Sequence, residues 1–426
     1  MRNINKLKIH TNKKNMKSIC QYLFIICIII NFRSVIMHSP TYDLAGKLVR
    51  IIMGVSVVSG VLLKKTIDRK IFQRCIMVLA CSGLYGVFFW LIDPTHSRTI
   101  ITLTIQLMAI IVYTMLVEDS FEDTMRRFSN IVIIIASISL FFWVFGSLGG
   151  YIKPNSYLYT TWSSSNVPQR INNYYNLYFE NQRSLFFGLS VNRIIRNTAI
   201  FTEAPMACMI FMVAFLYEIF LNMKKSRIRT AILLIAIIST ISTSGIVAVV
   251  MAFGCNYIFS KLKSNGQLTL KIIIAPLAIV VAVISINFVI EQKLGTISGS
   301  TRLDDFVAGY KAWRDSPVFG NGYGNSSAYQ QYMSSFRSNN LGFSNSIMQL
   351  LAFGGLYLTI PYIVVAVKCI NRLFKTKNWE KLSFYVIYIF VFIITVSPFQ
   401  MLTFYLFVSM AREKIKKLDF VSKVAR

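Results

Sequence analysis

Histidine, carboxylate and outward cysteine are the scarce materials of this chain. Its 426 residues hold 3 His and 17 Asp plus Glu. The histidines, His10, His38 and His96, are far apart, so a histidine-based metal centre is not expected. All seven cysteines (Cys20, Cys27, Cys75, Cys81, Cys208, Cys255 and Cys369) sit inside apolar runs, which argues against a disulfide framework. CxxC pairs are missing, and so is a GxxxxGK[ST] phosphate loop. No repeat of 20–50 residues is visible, and no inverted repeat of the transporter kind.

Apolar length is abundant. Hydrophobic residues make up 55% of the chain and charged residues only 15%. Mean hydropathy is +0.56. A soluble protein of this length could not hide that much apolar surface, and many runs reach ~20 residues, enough to cross a bilayer. The expectation is a single all-α polytopic membrane domain over residues 1–426 with about twelve spans. They fall near 18–37, 44–63, 71–92, 99–117, 128–148, 199–221, 229–242, 244–260, 270–290, 346–370, 382–397 and 399–411. The basic start followed by an apolar run reads as an uncleaved first helix, because no small-residue cleavage site follows it.

The net charge of +28 raises nucleic acid as a partner, and its distribution argues against it. With the N-terminus placed in the cytoplasm, every inward segment carries Lys or Arg, including "KKTIDRK" (64–70), "NMKKSRIR" (222–229) and the C-terminal tail. The short outward turns "HSPTYD" (38–43), "STSG" (242–245) and "SPFQ" (397–400) carry none. This is the positive-inside pattern, and it puts both termini in the cytoplasm. Two long connections, 149–198 and 291–345, then fall outside. Loops of about 50 residues are usually functional.

The second of these contains "SGSTRLDDFVAGYKAWRDSPVFGNGYGNSS" (298–327), and "FSNSIMQLLAFGGL" (343–356) follows. Its glycines could form a turn with positive φ or a backbone anion cradle. The first loop ends in "RIIRNTAIFTEAPMACMIF" (193–211). Together these stretches resemble the O-antigen polymerase and O-antigen ligase superfamily of bacterial membrane glycosyltransferases. Members commonly show Arg, then Trp, then P-x-x-G-x-G, then Asn entering a helix with a Gly about ten residues on. The matching positions are Arg302, Trp313, Pro317, Gly320, Gly322, Asn345 and Gly354. A second family segment, Arg followed by G-x-F-x-E-P, is matched by Arg196, Phe201 and Glu203. Ala204 intervenes before Pro205, and Ala199 stands where Gly is common. The Ser/Thr-rich turn "STISTSG" (239–245) lacks the Arg of relatives, so no role is carried to it.

The resemblance implies a GT-C-like glycosyltransferase at the periplasmic face of the bacterial inner membrane. It would join undecaprenyl-pyrophosphate-linked oligosaccharides, without metal or other cofactor, beside membrane lipid, a flippase and a chain-length regulator. Polymerase is favoured over ligase because many ligases carry His where Ser344-Asn345-Ser346 stand here. A lipid-linked oligosaccharide flippase is a third reading. The leaving pyrophosphate needs cations, and arginine supplies a permanent charge with a bidentate fork. On this reading Arg196, Glu203 and Arg302 are catalytic. Arg193, Arg314, Trp313, Gly320, Gly322, Asn345 and Arg337 bind substrate.

Several of these side chains have structural alternatives. Arg193 and Arg196 would share a face if helical, and could equally snorkel. Glu203 could accept the acceptor proton or pair with Arg196. Asp304 and Asp305 read as a solvated pair or helix-start charges. Arg33, Lys47 and Arg50 read as snorkelling cations at the outer ends of the first two spans. The tyrosines of 151–179 suit sugar rings or a headgroup belt.

Overall fold

The computed structural model describes residues 2–64, 66–160, 169–186, 189–259, 297–337 and 341–413, with backbone alone for 2–14, 169, 183–186, 189–194 and 297–299. Among these residues the chain is mostly helical. Six helices are long and apolar enough to cross a membrane: Pro40–Leu62, Arg69–Ile92, Pro94–Val117, Phe121–Leu148, Ala204–Leu221 and Ser346–Lys375. Asn15–Asn31, Thr243–Phe259 and Met401–Arg412 are shorter apolar helices. The expected segments 229–242 and 382–397 also carry helices, each shorter than a full crossing. The expected segment 270–290 lies outside the described residues.

In chain order the helices are α1 (Arg2–Asn31), α2 (Val35–His38), α3 (Asp43–Leu62), α4 (Arg69–Ile92), α5 (Ser97–Val112), α6 (Phe121–Phe142), α7 (Ala204–Leu216), α8 (Arg227–Ser239) and α9 (Thr243–Phe259). After the undescribed stretch come α10 (Ile297–Asp315), α11 (Ser327–Gln330), α12 (Ser346–Lys375), α13 (Trp379–Ile393) and α14 (Met401–Arg412). Helix α7 is the centre of the bundle. Its sequence is apolar all round, and every residue of it except Pro205 is buried, as expected of a helix with no solvent or lipid face. It packs against α6, α8, α9 and α13. Helix α4 is the opposite case: only 11% of its apolar window is covered by protein.

The two long connections emerge at one end of the bundle, here the loop end. At the other end, charges are matched. Glu118 pairs with Arg412 at 2.7 Å, Glu218 with Arg229 at 2.8 Å, and Lys381 with Glu122 at 2.9 Å. These pairs tie α6, α8, α13 and α14 together through the segments that join them.

The all-α expectation fails in the first connection. It contains β1 (Ser156–Thr160), β2 (Gln169–Tyr174) and β3 (Tyr178–Glu180) in one antiparallel sheet, and β4 (Arg183–Phe186) with β5 (Leu189–Ile195) in a hairpin. The alternation in "SYLYT" explains the first strand: Leu158 and Thr160 are buried while Tyr157 and Tyr159 are exposed. Leu158 faces Ile171, and both pack with Phe179 against Val35 of α2.

The second connection is helical and closely docked. Ala308 and Ala312 of α10 are fully buried, and a Cβ on Gly309 would lie 2.7 Å from Met348 Cβ. Small residues therefore let α10 approach α12. Helix α12 is broken at Gly355, whose φ of 56° and ψ of −150° are non-helical. The segment 317–321 fills the break. Leu356 N–H donates to Pro317 O and Tyr357 N–H to Val318 O, both at 2.9 Å. Gly320, at φ 71°, lies so close that a Cβ there would sit 2.4 Å from Gly354 N.

Candidate functional site

Four pieces of chain meet at the loop end: the corner after α1, the segment 196–203, the turn between α8 and α9, and the first half of α10. Pro205 lies in the first turn of α7, where its missing N–H costs nothing, and Glu203 is extended at the N-cap. The Glu203 carboxylate makes no cap bond; it accepts from Arg33 NH2 at 2.9 Å. Backbone pairing holds the two together. Ser34 and Phe201 form an antiparallel bridge, and Thr202 N–H donates to Arg33 O at 3.0 Å.

Arg196 is fixed from the other side. Its Nε donates to Thr240 O at 2.8 Å, and the next residue, Asn197, donates its N–H to Ser239 O at 3.0 Å. Among the described residues, Nε is the only part of the Arg196 guanidinium with a hydrogen-bond partner. Arg302 makes neither a hydrogen bond nor an ion pair among them. Burial pulls the pKa of both guanidinium groups down, and the Arg302 charge depresses Arg196 further. Both side chains are half-buried. Two half-buried arginines thus lie within electrostatic reach of each other, and among the described residues neither has a carboxylate at ion-pair distance.

Helix dipoles add to this. Helices α7, α9 and α12 all begin at the loop end, and each carries partial positive charge there. Ser397 connects two of these starts: its N–H donates to Ser346 Oγ at 2.9 Å and its hydroxyl to Met209 Sδ at 3.4 Å. Backbone strain gathers in the same place. Arg33, Ala199 and Ile241 have φ of 51°, 48° and 50°. A β-branched residue such as Ile241 rarely adopts this conformation, and such outliers persist where surrounding structure imposes them.

Other expected residues have different employment. Arg337 is buried with Asp305 at 2.8 Å and Asp304 at 3.3 Å, and it also donates to Thr301 O at 3.0 Å. Asp304 and Asp305 are therefore not a solvated pair. Asp304 accepts from Ser334 and Asp305 from Ser344, so the triad ties Ser334 and Ser344 to α10. Burial raises the Asp305 carboxyl despite those hydrogen bonds. Asn345 caps α12 by accepting from Met348 N–H at 3.0 Å. Trp313 Nε1 donates to Pro317 O at 3.0 Å, and Arg314 is exposed in the last turn of α10.

The glycine segment is not an open amide cradle. Gly320 N–H donates to Ser316 O, Asn321 N–H to Ala352 O, and Tyr323 N–H to Asp93 Oδ2 at 2.6 Å. Gly322 is needed because a Cβ there would press on the Asp93 carboxylate at 3.2 Å. Asp93 also accepts from Thr95 Oγ1 at 2.6 Å and bonds His96 Nδ1 at 2.9 Å. Burial alone would raise its pKa; the three donors outweigh that and hold it below the ordinary value.

Two sequence expectations about helical faces are corrected. Arg193 lies on β5, which ends at Ile195, so it and Arg196 share no helix; the Arg193 side chain is outside the described residues. Residues 196–203 are not helical, so Glu203 does not sit one face above Arg196, and its ion pair is with Arg33. Arg33 and the Thr240 carbonyl were not legible as site groups, because contacts across 170 and 44 residues leave no local pattern.

An apolar space lies below the glycine segment. A cavity of about 400 Å³ between α4, α5, α12 and α14 is lined by Cys81, Tyr85, Leu103, Tyr323, Pro361 and Phe399, among others, and is almost wholly apolar. The Tyr85 and Tyr357 rings stack 4.1 Å apart beside it. Comparison with protein-family models finds no match for this chain, and comparison with curated proteins finds none either.

Proposed function

We propose that the chain is a membrane glycosyltransferase of the O-antigen polymerase kind. It joins oligosaccharide repeats carried on undecaprenyl pyrophosphate, and its loop end faces the periplasm of a bacterial inner membrane. One observation supports this reading: Arg196 and Arg302 lie close enough for their charges to repel, and among the described residues most of their donors are unused and neither has a carboxylate in ion-pair contact. Uncompensated cations at this depth are costly, and a pyrophosphate diester relieves that cost.

The chemistry follows from the parts. An acceptor sugar hydroxyl attacks the anomeric carbon of the donor glycan. The bond from that carbon to the pyrophosphate oxygen breaks, and its electron pair stays on the phosphate. Arg196 and Arg302 stabilise the charge that develops there, a role in which fixed donors act more strongly than water. Glu203, held by Arg33, takes the hydroxyl proton. The apolar cavity under Tyr323 supports the reading as a berth for the isoprenoid chain.

The test is the purified protein in vesicles with lipid-linked repeats. A ladder of longer lipid-linked glycans is the expected product. Translocation without a ladder would replace this reading with a flippase, and transfer to lipid A core alone would replace it with a ligase.

A further inference from the structure

A pair of tyrosines joins α4 to α12 beside the apolar cavity, and a proline explains why. Pro361 lies inside α12 and has no N–H to give, so the Tyr357 carbonyl one turn earlier loses its helical donor. The Tyr85 hydroxyl of α4 takes that place. In return the Tyr357 hydroxyl donates to Tyr85 O at 2.9 Å. With their rings stacked, the two residues form a clasp between the helices.

One turn further from the loop end, the same helix faces carry Cys81 and Pro361. Both line the cavity, and both are exposed. Among the described residues the cavity therefore opens sideways beneath the clasp. On its loop-end side lie Tyr323 and Phe399, with ring centres 4.8 Å apart. Cys81 is about 16 Å along α4 from its end at Ile92, near the middle of a hydrocarbon core ~30 Å thick. At that depth the bilayer offers hydrocarbon and no headgroup, so the opening admits a chain.

We propose that this opening is the doorway by which the isoprenoid chain of the substrate enters the cavity from the bilayer, its pyrophosphate staying outside toward the loop end. The identity of the chain rests on the glycosyl-transfer reading above; the route and the residues that frame it are added here. A cavity of about 400 Å³ suits a stretch of a single chain. An isoprenoid lipid has one chain, whereas a phospholipid would have to leave its second outside. The double bonds of an isoprenoid also leave fewer rotamers to freeze, so ordering it costs less than ordering a saturated chain.

The test uses the full-length purified protein in phospholipid vesicles and two light-activated probes. One is undecaprenyl phosphate with a diazirine at the far end of its chain; the other is a phospholipid with a diazirine in one acyl chain. Adducts are mapped by mass spectrometry. The isoprenoid probe is expected on cavity residues such as Tyr362 and Phe404, and unlabelled undecaprenyl phosphate should displace it. Cys81→Trp narrows the opening and Leu103→Trp fills the space behind it; each is expected to cut the yield about 10-fold. Leu84→Trp, at an exposed α4 position outside the lining, is expected to leave the yield unchanged. Melting temperatures equal to the parent's show that the variants fold; should Leu103→Trp melt early, Val408→Trp fills the cavity from α14 instead. Three results would overturn the proposal: no adduct in the cavity, a loss in only one of the two blocking variants, or a phospholipid adduct that undecaprenyl phosphate does not displace. The expected adducts without any ladder of longer glycans would leave the doorway standing and remove the transfer reading. A ladder without cavity adducts would do the reverse.

Discussion

Arg337 and Arg302 belong to the same loop-end connection, and the sequence offers little to separate them. Their surroundings do. Arg337 is wrapped by two carboxylates and by backbone oxygens, so its region is closed upon itself. Arg302 lies on α10 one turn before Asp305, yet Asp305 spends its oxygens on Arg337 and Ser344. The result is one arginine with every reason to stay put and another with donors to spare. A buried cation that is fully paired specifies structure; one that is left unpaired calls for a ligand.

Breaking the closed region has the largest expected effect. Arg337→Met leaves two buried carboxylates without their cation, which costs about 3–5 kcal/mol. The purified variant is expected to melt far below the parent or to fail to accumulate. A melting temperature within a degree or two of the parent would show that the triad is not a clamp.

Arg302→Lys probes the open region. Charge is kept and the fork is lost, so elongation of lipid-linked repeats is expected to fall ~10²-fold. The melting temperature should hold, since Arg302 has no bond to lose among the described residues. Full-length product at equal protein level would remove Arg302 from the site.

Gly320→Ala tests the closed region without touching a charge. The new Cβ meets the α12 backbone at 2.4 Å in a left-handed conformation. A loss of about 2 kcal/mol or more is expected in thermal or denaturant unfolding. Gly324→Ala has positive φ but only His96 Cδ2 near its Cβ, at 3.9 Å, and should cost less.

The smallest effect concerns pH and has opposite signs at two carboxylates. Asp305 is held above its ordinary 3.8 by burial. Its contribution to stability is full below that value and is lost as pH rises through the raised one. Asp93 is held below 3.8, because three donors outweigh burial. Its contribution is present above that value and is lost as pH falls through the depressed one. Melting temperatures should be followed from about pH 3 to about pH 6. The difference between Asp305→Asn and the parent should grow more positive with pH, and that for Asp93→Asn more negative. Slopes of one sign would contradict the assigned surroundings.

Much of the helical layout was legible because apolar length and loop charge are set by the bilayer residue by residue. The strands were not read, although "SYLYT" carries a period-2 signal; five residues of alternation are drowned among long apolar runs. Arg196 and Arg302 were singled out through the resemblance, and the structure brings them close enough for their charges to repel. Arg337, Asn345, Gly320 and Gly322 came from the same motifs and are engaged in clamping, capping and packing. Motif residues of a loop that must be both folded and reactive look alike in one dimension. Only the count of partners sorts them, and the partners of Gly320 lie more than 30 residues downstream, in a helix break that no local pattern announces.

The helix break also bears on how the chain is made. Gly355 lies about 14 Å into α12 from its first residue, and the amides of Leu356 and Tyr357 are satisfied only by carbonyls at 317–318. Unsatisfied amides at that depth are poorly tolerated in lipid. The segment that satisfies them is synthesised before α12, so the hydrogen bonding of α12 is complete only once residues 317–318 have docked against it.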